Sequence, residues 1–157
     1  TGTRFTIDVA EKVGNTGKVY VTDLSEKTIY KISEKIERKK ITQITAIHDE
    51  HQVNRIYPHI PQVNAIISTG MLGHIQDLRK VAKEMAAILP DSGRIVFKEE
   101  VDVFSFVPNI GWIAQPEKVV EIFREEGISI SYVQVKRTFW TDLFIYGVKS
   151  KEDVPVI

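Results

Sequence analysis

The chain has 157 residues, enough for one domain that buries about 68–70% of its unfolded surface without disulfides or metals. Its 21 Lys and Arg balance 21 Asp and Glu, so no net field draws it toward nucleic acid or an anionic membrane surface. It contains no Cys, which excludes disulfide scaffolds, thiolate metal sites and cysteine nucleophiles, and no apolar run approaches the roughly 20 residues of a membrane span. With no basic-then-apolar signal pattern after Thr1, these features predict a soluble, cytoplasmic protein.

Phe5, Val9, Ala10 and Val13 recur at helical spacing and stop at Gly14-Asn15-Thr16-Gly17, a helix with a C-terminal turn. The same stretch also alternates as Phe5, Ile7, Val9, which leaves a strand over Phe5–Ala10 as the second reading. Lys18 to Thr22 is a short apolar strand closed by Asp23. Ser25 then caps a helix whose stripe is Ile29, Ile32 and Ile36 and whose end, Arg38-Lys39-Lys40, suits the helix dipole. A strand that stops at a carboxylate directly before a helix is how nucleotide-binding α/β folds hold the two hydroxyls of a ribose.

Ile41 to Ile47 alternates as a strand ending at His48-Asp49-Glu50, and the stretch to Pro61 reads as irregular. Val63 to Ser68 is a compact apolar run, as expected of a strand buried on both faces. Ile75, Leu78, Val81, Ala82, Met85, Ala86 and Leu89 mark an amphipathic helix ended by Pro90-Asp91-Ser92-Gly93, and Arg94 to Glu99 is the next strand. Lys98-Glu99-Glu100 at its end stands at the sheet edge where such folds bind ligands, but reads first as a solvated charge cluster. Residues 101–115 are apolar and aromatic without period and suggest a loop or lid. Pro116 opens a last helix that Gly127 closes, and two strand-like runs, Ile128–Val135 and Phe139–Val148, follow. Their three-residue link permits only antiparallel pairing. The predicted fold is therefore α/β, with a doubly wound, mostly parallel sheet, helices on both faces in three α/β/α layers, and a C-terminal antiparallel strand pair.

Four segments in this order carry a resemblance: Phe5-Thr6-Ile7-Asp8-Val9-Ala10-Glu11-Lys12-Val13-Gly14, Tyr20-Val21-Thr22-Asp23-Leu24-Ser25, Ala65-Ile66-Ile67-Ser68-Thr69-Gly70-Met71-Leu72-Gly73-His74-Ile75, and Glu84 through Phe97. Together they resemble the class I S-adenosylmethionine-dependent methyltransferases, a Rossmann-like family, and within it the small-molecule branch that includes quinone C-methyltransferases. The resemblance implies S-adenosylmethionine as cofactor and a small-molecule acceptor. It gives Asp23 the ribose hydroxyls, Leu24 a further place in the cofactor site, Asp49 and Glu50 the adenine, and Ser68, Thr69 and Gly70 the backbone beside the methyl group. Asp49 reads almost as well as an exposed loop carboxylate. His74 takes the place of the second His in a Leu-His-His-Ile type segment at a helix start, and with Phe104, Phe106, Trp112 and Trp140 it is a candidate to line an acceptor pocket. No catalytic acid or base stands out, and His48, His51 and His59 lack the spacing of a metal site.

The family's first strand and G-x-G-x-G loop are represented only by Thr1-Gly2-Thr3, with Gly2 as the one matching glycine. The expectation is one methyltransferase-like domain over 1–157, incomplete at its N-terminus, with backbone groups left unpaired where the first strand belongs unless a second copy or a partner completes the sheet. A binding or regulatory relative without catalysis is the alternative reading. A nicotinamide oxidoreductase is a third, disfavoured by the terminal antiparallel pair.

Overall fold

In the computed structural model, which describes residues 2–105 and 115–150, the chain divides into two units, Thr1–Gln52 and Val53–Ile157. The first contains α1 (Gly2–Val13), β1 (Val19–Asp23), α2 (Glu26–Lys39) and β2 (Ile44–His48). The helical reading of the N-terminal stretch holds, and a strand over Phe5–Ala10 is overturned. Ile7 and Ala10, one turn apart, face inward, while Phe5 and Val13 of the predicted stripe are exposed. Gly14, at φ +77°, donates its N–H to Ala10 O at 3.1 Å and ends the helix in the left-handed conformation that glycine adopts without strain.

Ser25 caps α2 as its sequence context predicts, its hydroxyl accepting from Thr28 N–H at 3.3 Å. Ile29 and Ile32 of the α2 stripe are buried. β1 and β2 pair in parallel with Val19 opposite Ile44 and Asp23 opposite His48. Ile7, Ala10 and Ile44 form a small core, joined by Val19, Val21, Ile36 and Ile41. β2 starts three residues later than its alternation suggests, because Ile41 N–H is engaged by Ile36 O behind the helix end.

The second unit contains β3 (Ala65–Thr69), a 3-10 turn at Leu72–His74, α3 (Leu78–Ile88), β4 (Arg94–Val101), a second 3-10 turn at Val103–Ser105, α4 (Pro116–Glu125), β5 (Ile128–Lys136) and β6 (Thr141–Lys149). Its sheet runs β3-β4-β6-β5, with β3 and β4 parallel and β6 antiparallel to both neighbours. The α/β class and the terminal antiparallel pair are as predicted. The parallel pairs lie in separate sheets, and among the described residues β1 and β3 each have an edge without a strand.

Two predictions in this unit are corrected. The helix expected from Ile75 starts at Leu78, because Asp77 accepts from Lys80 N–H at 2.9 Å and caps it there. Ile75 belongs to the preceding turn. β3 is not buried on both faces: Ile66 packs on the core, but Ile67 is 44% exposed, since β3 is an edge strand with one face covered. The core lies on the other face of that sheet, where Ile95, Phe97 and Val101 of β4, Leu143 and Ile145 of β6 and Ile128 and Ile130 of β5 meet α3 and α4 through Val81, Met85, Val119 and Phe123.

Register places the ends of these strands together. Thr69 lies opposite Lys98, and Val101 opposite Thr141, so the exits of β3 and β4 and the β5–β6 hairpin share one end of the sheet. That end is the carboxyl end of the parallel strands, where open α/β sheets bind their ligands.

Candidate functional site

In the first unit, Asp23 is the last residue of β1 and is half-buried. Its Oδ1 accepts from Ser25 N–H at 2.8 Å, a short turn that directs the chain into α2. The carboxylate thus helps to start a helix through one oxygen, and it stands at the carboxyl end of a parallel strand. Asp49 is brought beside it: Asp49 N–H donates to Asp23 O at 3.2 Å, and His48, opposite Asp23 in the ladder, lies with Nε2 3.1 Å from Leu24 O. Asp49 is not an exposed loop carboxylate. It is 2% exposed and its Oδ1 accepts from His51 N–H at 3.0 Å, so the loop is wound around it. Leu24 and Glu50 are exposed, and Gly2 is the first residue of α1.

In the second unit, β3 leaves the sheet through Ser68, Thr69 and Gly70. Gly70 has φ +67° and donates its N–H to Lys98 O at 2.9 Å, so the chain turns sharply over the end of β4. The next two N–H groups, of Met71 and Leu72, both donate to Glu99 Oε1, at 3.0 and 2.8 Å. Glu99 is 3% exposed, which overturns its reading as part of a solvated charge cluster. Burial pushes its carboxyl above the usual range, and the N–H groups of Leu72 and Met71 oppose that shift. A signal for this residue exists in the sequence: Ile95, Phe97, Glu99 and Val101 share the inward phase of β4, so the carboxylate sits where an apolar side chain is expected. His74 ends the 3-10 turn, is exposed and does not open a long helix.

At the same sheet end, Asp142 is 4% exposed and holds the hairpin together. Arg137 Nε donates to it at 2.8 Å, Trp140 Nε1 at 3.1 Å and Lys98 Nζ at 3.2 Å. The bond from Arg137 is the main reason its carboxyl lies below the usual range. Phe104 is 54% exposed, with its ring centroid 5.8 Å from that of Phe139. Lys136 to Trp140 line an open depression of about 690 Å³. Phe106 and Trp112 lie outside the described residues, so of the expected acceptor aromatics Phe104 and Trp140 are placed at this end. Phe139 and Asp142 were not singled out by the sequence; the first carries no signal beyond its aromatic character, and the second is identified only by its partners.

The family described as Methyltransferase domain matches residues 1–97, more than half of the chain. The chain belongs to this methyltransferase domain family. Its chemistry is S-adenosylmethionine-dependent methyl transfer, with S-adenosylmethionine as cofactor. Solved structures similar to this methyltransferase domain include a SAM-dependent methyltransferase from Aquifex aeolicus, 18% identical with a TM-score of 0.72 over 95% of this chain and 78% of that one. Another is the N-methyltransferase NodS from Bradyrhizobium japonicum WM9, 18% identical with a TM-score of 0.60 over 85% of this chain and 74% of that one. A third is the [4+2]-cyclase SpnF, 12% identical with a TM-score of 0.71 over 92% of this chain and 69% of that one. At these identities the likeness is one of fold, and SpnF, named as a cyclase, shows that fold and reaction are separable. No curated protein matches the sequence.

Each unit of this methyltransferase domain, taken by itself, offers groups whose chemistry suits the donor. Asp23 offers a half-buried carboxylate to hydroxyl donors, and the left-handed turn at Gly70 keeps backbone free of a Cβ where nothing lies within 4 Å of that position. Among the described residues no three His, Asp or Glu side chains group as a metal site, and no helix is long and apolar enough to cross a membrane.

Proposed function

We propose that this chain is a cytoplasmic methyltransferase that moves a methyl group from S-adenosylmethionine to a small-molecule acceptor, with Asp23 accepting hydrogen bonds from the ribose hydroxyls of the donor. The observation that carries this reading is the position of Asp23 at the carboxyl end of β1, its side chain braced by Ser25 N–H. In the same reading Leu24 belongs to the cofactor site next to Asp23, Asp49 with Glu50 serves the adenine, and the backbone of Ser68 to Gly70 serves the methionine half. When bound, S-adenosylmethionine supplies an activated methyl on a sulfonium that is itself a good leaving group, so the protein needs to contribute chiefly proximity and orientation. That accounts for a site whose clearest groups are binding groups. Phe104 and Trp140 present apolar surface at the sheet end where an acceptor would meet the donor's methyl group.

Isothermal titration with S-adenosylmethionine tests the reading. Stoichiometric uptake is expected, and Asp23→Ala is expected to lower affinity on the order of tenfold or more while the far-ultraviolet spectrum stays folded. Asp23→Asn separates the roles of the carboxylate: its amide oxygen keeps the bond to Ser25 N–H but not the charge, so helix stability should recover and donor affinity should not. Unchanged affinity in both variants would sink the ribose assignment. A folded sample without donor uptake would leave the binding or regulatory role.

A further inference from the structure

Glu99 is a buried carboxylate whose two backbone partners both lie on the segment that leaves β3. It lies on the inward face of β4, in phase with Ile95, Phe97 and Val101, which are 0%, 0% and 3% exposed. Taking a carboxylate out of water at such a position is unfavourable, and an apolar side chain of the same size would pack there without that penalty. What Glu99 has that an apolar residue lacks is an acceptor oxygen. That oxygen is used twice on one short segment, by Met71 N–H at 3.0 Å and Leu72 N–H at 2.8 Å. With the bond from Gly70 N–H to Lys98 O at 2.9 Å, three successive amides after β3 are fixed to two acceptor oxygens on adjacent residues of β4.

The segment so fixed is the exit Ser68–Leu72, whose conformation depends on the left-handed Gly70. A glycine turn has few side-chain contacts of its own, so its geometry is set by whatever holds its N–H groups. We propose that Glu99 is a positioning residue for the methyl donor: it fixes the Ser68–Leu72 backbone from behind and thereby sets affinity for the methionine half of the donor without touching it. This inference rests on the donor reading above and adds to it a residue outside the matched family segment, residues 1–97.

The test compares Glu99→Met, which keeps the bulk and removes the acceptor, with Glu99→Gln, which keeps an acceptor oxygen and removes the charge. Glu99→Ala serves as a second acceptor-less variant should the thioether not be accommodated. Two probes are titrated into each folded protein: S-adenosylhomocysteine, which carries the amino-acid half, and adenosine, which does not. Amide hydrogen exchange at Met71 and Leu72 is followed in parallel. In Glu99→Met, the dissociation constant for S-adenosylhomocysteine is expected to rise on the order of tenfold, that for adenosine to stay within about twofold, and both amides to exchange faster. Glu99→Gln should restore affinity and protection together. Equal S-adenosylhomocysteine affinity in wild type and Glu99→Met overturns the inference, and so does an equal loss for both probes, which would mark Glu99 as a structural residue only. A folded wild type that binds neither probe overturns the donor reading itself, and is distinguished from those outcomes because it appears before any substitution is made.

Discussion

Asp142 and Glu99 are carboxylates of similar burial whose environments push them in opposite directions. Arg137, Lys98 and Trp140 all donate to Asp142, the first being the largest influence, and its carboxyl lies low; Glu99 is dominated by burial and lies high. For Asp142 the sign follows directly. A carboxyl held lower in the folded than in the unfolded state adds stability above the ordinary carboxylate range, and that contribution is lost as pH falls through the folded-state value. Asp142→Asn should therefore be less stable than wild type at neutral pH, and the gap should narrow on acidification and close once Asp142 is protonated in the folded protein, as read by thermal melts across pH. A gap independent of pH would show that the hydrogen bonds matter and the charge does not. Of the residues that matter here, Asp23 was legible because its signal is local: a strand, a carboxylate and a capped helix in succession. Glu99 and Asp142 were not, because the amides that Glu99 holds lie 27 and 28 positions away, and the nearby donors of Asp142, Arg137 and Trp140, are joined by Lys98 from a neighbouring strand only once the sheet has formed.

Helices and strands were legible wherever the apolar period and the caps agree. α2 begins at its Ser25 cap and α4 at Pro116, with Gly127 just past its end at φ +82°. Where they disagree, the cap decides. The apolar spacing of Ile75 and Leu78 suggests one continuous helix, but Asp77 takes Lys80 N–H and starts α3 afresh, leaving Ile75 buried in a turn. Asp77→Ala should cost about 0.5–2 kcal/mol in chemical denaturation, since it removes an N-cap and leaves an amide of the first turn without its acceptor. A change below a few tenths of a kcal/mol would mean that water satisfies that amide equally well. β3 shows the converse limit: a strand with an apolar run reads as buried on both faces, and whether both faces are covered is not encoded in its five residues.

The two units differ in how much core they possess. Among the described residues, the second joins seventeen buried apolar residues from its sheet and helices in one cluster, whereas the buried cluster of the first is Ile7, Ala10 and Ile44. Phe123 is fully buried in the larger cluster, with its ring centroid 5.7 Å from that of Phe97. Phe123→Ala should lower unfolding free energy by about 3–5 kcal/mol, and a loss below about 1 kcal/mol would mean that the cluster closes over the cavity. The periodicities and turn signals of the chain were sufficient for the α/β class, the order of elements, the antiparallel final pair and the family, because each of these depends on contacts between neighbours in sequence. The division into separate β1-β2 and β3-β4-β6-β5 sheets, the inward aim of Glu99 and the burial of Asp49 were decided by tertiary structure. They depend on which backbone amides find which acceptors across the fold, and the same side chain is a solvated charge or a buried anchor according to that pairing alone.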